Sequence, residues 1–141
     1  MGTELDDAPF IEAIDAMTPR DWEELRSLVS NLDSYSSSCA RDDTAAAEAS
    51  ADLSVVGWAW DFLHDRGLIV PFDWPSWEGK AVLELSDPRP IGHASAADCL
   101  RYLTVSVRAD RYVVGAFESY VEDGLMGSLL RRLLETTGNA S

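Results

Sequence analysis

Thr18-Pro19-Arg20-Asp21 constrains the chain most, because it is a helix start written in four residues. A hydroxyl stands at the N-cap, a proline at the first helical position and an acid at the third. Trp22, Leu25, Leu28, Val29 and Leu32 follow at the three- and four-residue spacing of an amphipathic helix. A serine run from Ser34 to Ser38 predicts a frayed end or loop after it. Similar punctuation recurs down the chain. A second helix is expected from Asp43 or Thr44 to Arg66, with Leu53, Val56, Trp60 and Leu63 inward, Trp58 off that stripe on a second contact, and Gly67 at the C-terminal stop. Leu68-Ile69-Val70-Pro71-Phe72 is apolar but short and broken by proline, which predicts a buried connector rather than an interior strand.

Asp73-Trp74-Pro75-Ser76-Trp77 then opens a third helix that stops before Pro88-Arg89-Pro90. Ser95-Ala96-Ala97-Asp98 opens a fourth as a capping box with aspartate in place of glutamate, continued by Cys99, Leu100, Leu103 and Val107. A short fifth runs through Ala116 to Glu122 and ends at Asp123-Gly124, and a sixth carries Leu125, Leu129, Leu130, Leu133 and Leu134. No alternating stretch is long enough for a strand, and no internal repeat is visible. The expected fold class is all-α, a compact bundle of five to six helices in a single domain over residues 1–141, with 1–17 as a flexible N-terminal arm and 135–141 as a flexible C-terminus.

Charge narrows the function. The formal net charge is −14, from 25 acids against 11 bases of which Lys80 is the one lysine. Residues 1 to 98 hold 20 of the acids and six of the bases, whereas residues 99 to 141 hold five of each. Polyanions are repelled overall, so nucleic acid is an unlikely partner, and the C-terminal third is where an anion would be tolerated. The acidic, lysine-poor composition suits a protein kept soluble at high salt, and a GC-rich genome gives the same bias. The first residues are acidic where a signal peptide is basic, and no apolar run approaches the ~20 residues that span a bilayer, which predicts a cytoplasmic protein with no membrane partner.

The chemistry-bearing residues concentrate around the end of the fourth helix. Arg108, Asp110 and Arg111 lie beside the apolar face of Leu100, Leu103, Val107 and Val114, with Asp110 at its edge. A carboxylate there needs a partner, drawn from Arg108, Arg111 or the last helix's Arg131 and Arg132. Two readings stand side by side. In one, Asp110 is a partly buried carboxylate held by arginine as a structural clasp. In the other, Arg101, expected to be exposed, joins Arg108 and Arg111 in a stripe that meets a phosphate, a carboxylate or an acidic partner, since the guanidinium fork binds oxyanions bidentately. Trp74 and Trp77, beside Pro71 and Pro75, are candidate interface anchors.

Other constellations are incomplete. Cys39 and Cys99 form no C-x-x-C pair and read as reduced thiols. Cys99 falls in the first turn of the fourth helix, where the helix dipole favours a thiolate, but Asp98 opposes it and no histidine is locally paired. Asp61-x-x-His64-Asp65 offers two ligands on one face, and His93 is the remaining histidine, so no metal and no cofactor are expected. Neither a Walker nor a dinucleotide-binding glycine pattern is present.

The ordered set Leu103-Thr104, Arg108-x-Asp110-Arg111-Tyr112-x-x-Gly115, Glu122-x-Gly124 and Leu130-x-Arg132-Leu133, with Phe72-Asp73-Trp74-x-x-Trp77 before it, resembles a family of small bacterial and archaeal proteins catalogued as a domain of unknown function. The resemblance covers roughly the second half of the chain. It implies a small helical domain and brings no substrate, cofactor or catalytic residue with it. With no assembled catalytic constellation, the expected function is a non-catalytic protein-interaction module using Arg101, Arg108, Arg111, Trp74 and Trp77. The alternative is binding or processing of a phosphorylated or carboxylated small molecule at Arg108, Asp110 and Arg111, with Asp110 as orienting acid or base.

Overall fold

The Ser95 hydroxyl accepts the backbone N–H of Asp98 at 3.1 Å and so starts the helix on which the rest of the structure is assembled. In a computed structural model of the chain, residues 7–41, 54–72, 74, 77, 89–111 and 113–139 are described. They form α1 (Ala8–Asp15), α2 (Pro19–Arg41), α3 (Ser54–Asp65), a 3₁₀ segment (Arg89–His93), α4 (Ala96–Ala109), α5 (Ala116–Glu122) and α6 (Leu125–Thr136), with no strand among the described residues. None of these helices is long and apolar enough to cross a membrane.

Helix α4 is the centre. Every residue from Cys99 to Val107 is buried, including Arg101, Thr104 and Ser106, so this helix has no solvent face over that stretch. Its two buried hydroxyls are satisfied: Thr104 donates to the Leu100 carbonyl at 2.9 Å and accepts the Val70 N–H at 3.1 Å, and Ser106 donates to the Leu103 carbonyl at 2.7 Å. Around α4 pack α1, α5 and α6, while α2 lies across α6, α3 and α5. Leu25, Leu28 and Leu32 of α2 meet Leu129, Leu130 and Leu133 of α6 in one apolar core. Gly127 permits that approach, since a Cβ on it would sit 3.0 Å from the Asp33 carboxylate. Gly115 and Gly124, at φ of 85° and 87°, turn the chain into α5 and α6 through the left-handed region that a side chain disfavours.

Several expectations change. The serine run does not interrupt α2, which continues to Arg41 because Tyr35 is buried and the Ser36 hydroxyl donates to the Glu122 carbonyl at 3.0 Å. The expected N-terminal arm is, from Ala8, a docked helix with Phe10 and Ile14 buried. At the other end α6 runs to Thr136, and Asn139 is tied down by its N–H on the Leu134 carbonyl at 2.8 Å and by Arg26 on its own carbonyl at 3.0 Å. The connector after α3 is buried at Leu68 and half-buried at Ile69, Val70 and Phe72, as its apolar content requires. The first part of the second expected helix, residues 43–53, and nearly all of the third lie outside the described residues.

Candidate functional site

The candidate residues divide between two places along α4. Arg101 is not exposed. Its side chain keeps 3% of its accessible surface, because α1 folds over it: the guanidinium pairs with Asp7 just before α1 and with Asp98 at 2.6 Å, and lies 4.6 Å from the Phe10 ring centroid. The stripe of three outward arginines therefore does not form. Trp77 belongs to the same region. An aromatic ladder runs from Phe10 to Phe72 at 5.6 Å, from Phe72 to Trp77 at 5.7 Å and from Trp77 to Tyr102 at 4.9 Å between ring centroids. Trp74 and Trp77 are both half-buried against the core rather than projecting from it.

Arg108 stands seven residues further along α4, ~10 Å from Arg101 by helical rise. There the chain leaves the helix and makes a tight tip before α5. Successive backbone bonds, Asp110 N–H to the Val107 carbonyl at 3.3 Å, Arg111 to Arg108 at 3.1 Å, Val113 to Ala109 at 2.9 Å and Ala116 to Val113 at 3.0 Å, hold that tip. Asp110 is half-buried, and its carboxylate accepts the N–H of Phe117 at 3.2 Å, inside the first turn of α5. This fills the capping role that Gly115, at the N-cap, cannot. The partner of Asp110 is thus a backbone amide rather than the arginine expected for a clasp. Arg131 pairs instead with Asp33, and Arg132 donates to the Ala94 carbonyl at 2.9 Å and lies 3.6 Å from Glu135.

With Asp110 engaged in this way, Arg108 is half-exposed and Arg111 exposed, and neither side chain makes an ion pair among the described residues. Beside them Val113 and Val114 are 62% and 97% exposed. The tip therefore presents two adjacent apolar side chains flanked by cations on a backbone already fixed by hydrogen bonds. Sequence reasoning placed Val114 on the apolar face of α4, and it missed the pair because α4 ends at Ala109.

The remaining candidates are quieter. Burial pushes the Cys99 thiol up to about 12, outweighing the opposing charge of Arg132. The side chain of Cys39 lies outside the described residues. His64 and Asp61 are exposed, and the His64 ring donates through Nδ1 to the Trp60 carbonyl at 2.8 Å, its centroid 4.8 Å from the Trp60 ring at a 38° tilt. No group of three metal-binding side chains occurs among the described residues. One cluster that the sequence did not suggest joins α2 to the end of α3: Arg66 pairs with Asp21 at 2.8 Å and Glu24 at 2.5 Å, and Glu24 also accepts the Trp58 indole N–H at 2.9 Å. Arg66, Asp21 and Glu24 line, with Arg20, Glu23 and Ser27, a shallow polar depression of about 440 Å³ in which the Arg66 guanidinium is already paired with two carboxylates.

A family model described as a family of unknown function (DUF6508) matches residues 17–139. No curated protein and no solved structure matches the chain.

Proposed function

The chain belongs to this family of unknown function, DUF6508, and from that premise we propose that it is a non-catalytic protein-interaction module whose contact surface is the tip between α4 and α5. The observation that carries this reading is the pair Val113 and Val114, 62% and 97% exposed beside Arg108 and Arg111. Fully burying a valine side chain is worth ~1.5–3 kcal/mol, so a partner that covers both gains substantially from a small area. Backbone hydrogen bonds already hold Asp110, Arg111, Val113 and Ala116 before contact, which lowers the entropy cost of association. The flanking cations favour a partner segment that is apolar at its centre and acidic at its rim. Substituting Val114→Asp or Arg111→Glu leaves folding intact and lowers recovery of the bound partner from the producing cells at least tenfold. Wild-type recovery with both variants, at unchanged Tm, ends this reading.

A second reading keeps Arg108 and Arg111 for a small phosphorylated or carboxylated ligand, supported by their lack of ion pairs among the described residues. Two features weigh against it. Arg101 is committed to Asp7 and Asp98, and Asp110, the expected orienting acid or base, already accepts the Phe117 N–H. A rise in Tm with millimolar phosphate that disappears in Arg111→Ala would promote this reading over the first.

A further inference from the structure

Helix α1 is held to the bundle in an unusual way. It has eight residues, well below the ~12–15 at which an isolated helix becomes even marginal in water, so it exists because it docks. Asp7 is its N-cap residue, yet makes no side-chain capping bond to the helix. Its carboxylate is spent on Arg101 instead. Phe10, three residues on, lies over the guanidinium and against Phe72, and Ile14, seven residues on, completes the buried face, while Ile11, Glu12 and Asp15 face solvent.

The floor beneath α1 has the makings of a recognition site. Arg101 is a cation with 3% of its side-chain surface exposed, and Phe10 bridges it to the Phe72, Trp77 and Tyr102 ladder. The guanidinium is only partly used, because its Nε carries no hydrogen-bond partner while Nη2 bonds Asp7. Nε and Nη2 form one edge of the fork, the edge on which a carboxylate can sit side-on with both oxygens engaged. The resident helix meets this edge with a single oxygen. The floor residues lie within the family-matched segment, 17–139, and the helix that covers them lies outside it.

We propose that the cleft under α1 is a helix-binding site, that α1 is its exchangeable resident, and that its ligand is a partner segment of the same chemistry: a short helix with a carboxylate at its N-terminal end and large apolar residues three and seven positions later. A ligand carboxylate reaching both Nε and Nη2 of Arg101 outcompetes the single-oxygen contact of Asp7. Displaced α1 unfolds at little cost, since it has no stability of its own. This site is independent of the α4–α5 tip.

The probe is a fluorescein-labelled peptide of residues 5–17, read by anisotropy against the full chain and against full-length Phe10→Ala/Ile14→Ala, in which α1 loses its anchors. The variant melts cooperatively and binds the peptide saturably, at least tenfold tighter than the wild type, whose cleft is occupied. An Asp7→Asn peptide binds that variant at least tenfold more weakly. Several results overturn the proposal: no cooperative melting, which makes α1 an integral part of the fold; no saturable binding; equal binding to wild type and variant; or indifference to Asp7→Asn. A wild-type dimer that vanishes in the double variant would give the cleft to a second copy's α1 and overturn the partner-segment assignment.

Discussion

Arg101 should be less costly to remove than the two carboxylates that face it, and the difference follows from where the charges sit. Asp7 and Asp98 keep 58% and 39% of their side-chain surface, whereas Arg101 keeps 3%. Deleting the cation in Arg101→Met returns both carboxylates to water. It gives up two partly screened ion pairs of ~0.2–1 kcal/mol each and a ring contact of about 0.5–2 kcal/mol. The methionine retains most of the aliphatic stem's packing, and the unpartnered Nε disappears with the charge. The expected cost is about 2 kcal/mol. Deleting both carboxylates in Asp7→Ala/Asp98→Ala strands a buried cation, for which ~3–5 kcal/mol is usual. Urea unfolding followed by tryptophan fluorescence, with unchanged m-values, measures both. An Arg101→Met variant at least as destabilised as the double aspartate variant would refute the reasoning, because the guanidinium would then be a net contributor and not a desolvated charge that depends on its partners.

The other predictions concern single groups. Asp110→Ala lowers stability by ~1 kcal/mol by orphaning the Phe117 N–H, while Asp110→Asn, which keeps an acceptor oxygen, costs clearly less. A charge-based clasp would make the two equally damaging in thermal melting. In a Cys39→Ser background the Cys99 thiol, raised to about 12 by burial, stays unreactive toward a disulfide reagent at pH 8 until denaturant is added, and rapid native labelling would contradict its placement. The Thr18 backbone N–H, 3.0 Å from the Asp21 carboxylate, leads the effects that hold this acid below its usual range, joined by the Thr18 hydroxyl and Arg66 and outweighing desolvation. A depressed carboxylate stabilises the fold above its unfolded pKa of ~3.9 and loses that contribution as pH falls through the folded value. The Tm gap between wild type and Asp21→Asn is therefore full near neutrality and closes in acid, and a gap that persists below the folded value would contradict it.

Local signals were the legible part of this fold. Ser95 with Asp98, and the break at Asp123-Gly124, place α4, α5 and α6 because caps and left-handed glycines act within a turn of where they stand. What escaped was decided at long range. α1 is docked by Phe10 and Ile14 and by an ion pair spanning 94 positions, to an arginine whose spacing alone suggested a solvent-facing stripe. The serine run stays helical because Tyr35 and Ser36 find tertiary partners across the bundle, which overrides a weak local preference. At the tip the candidate charges Arg108, Asp110 and Arg111 were visible, but their division of labour was not. A carboxylate seven residues before an unsatisfied amide cannot be told from one awaiting an arginine until the turn between them is known.

The central claim is that the tip after α4 is where another protein docks. A photoactivatable cross-linker placed at Val114 and, as a control, at exposed Asp61 on α3 would test it in the cells that produce the chain. A discrete adduct is expected from position 114 and is lost with Arg111→Glu, and none is expected from position 61. No discrete adduct from position 114, or the same adducts from both positions, would contradict it.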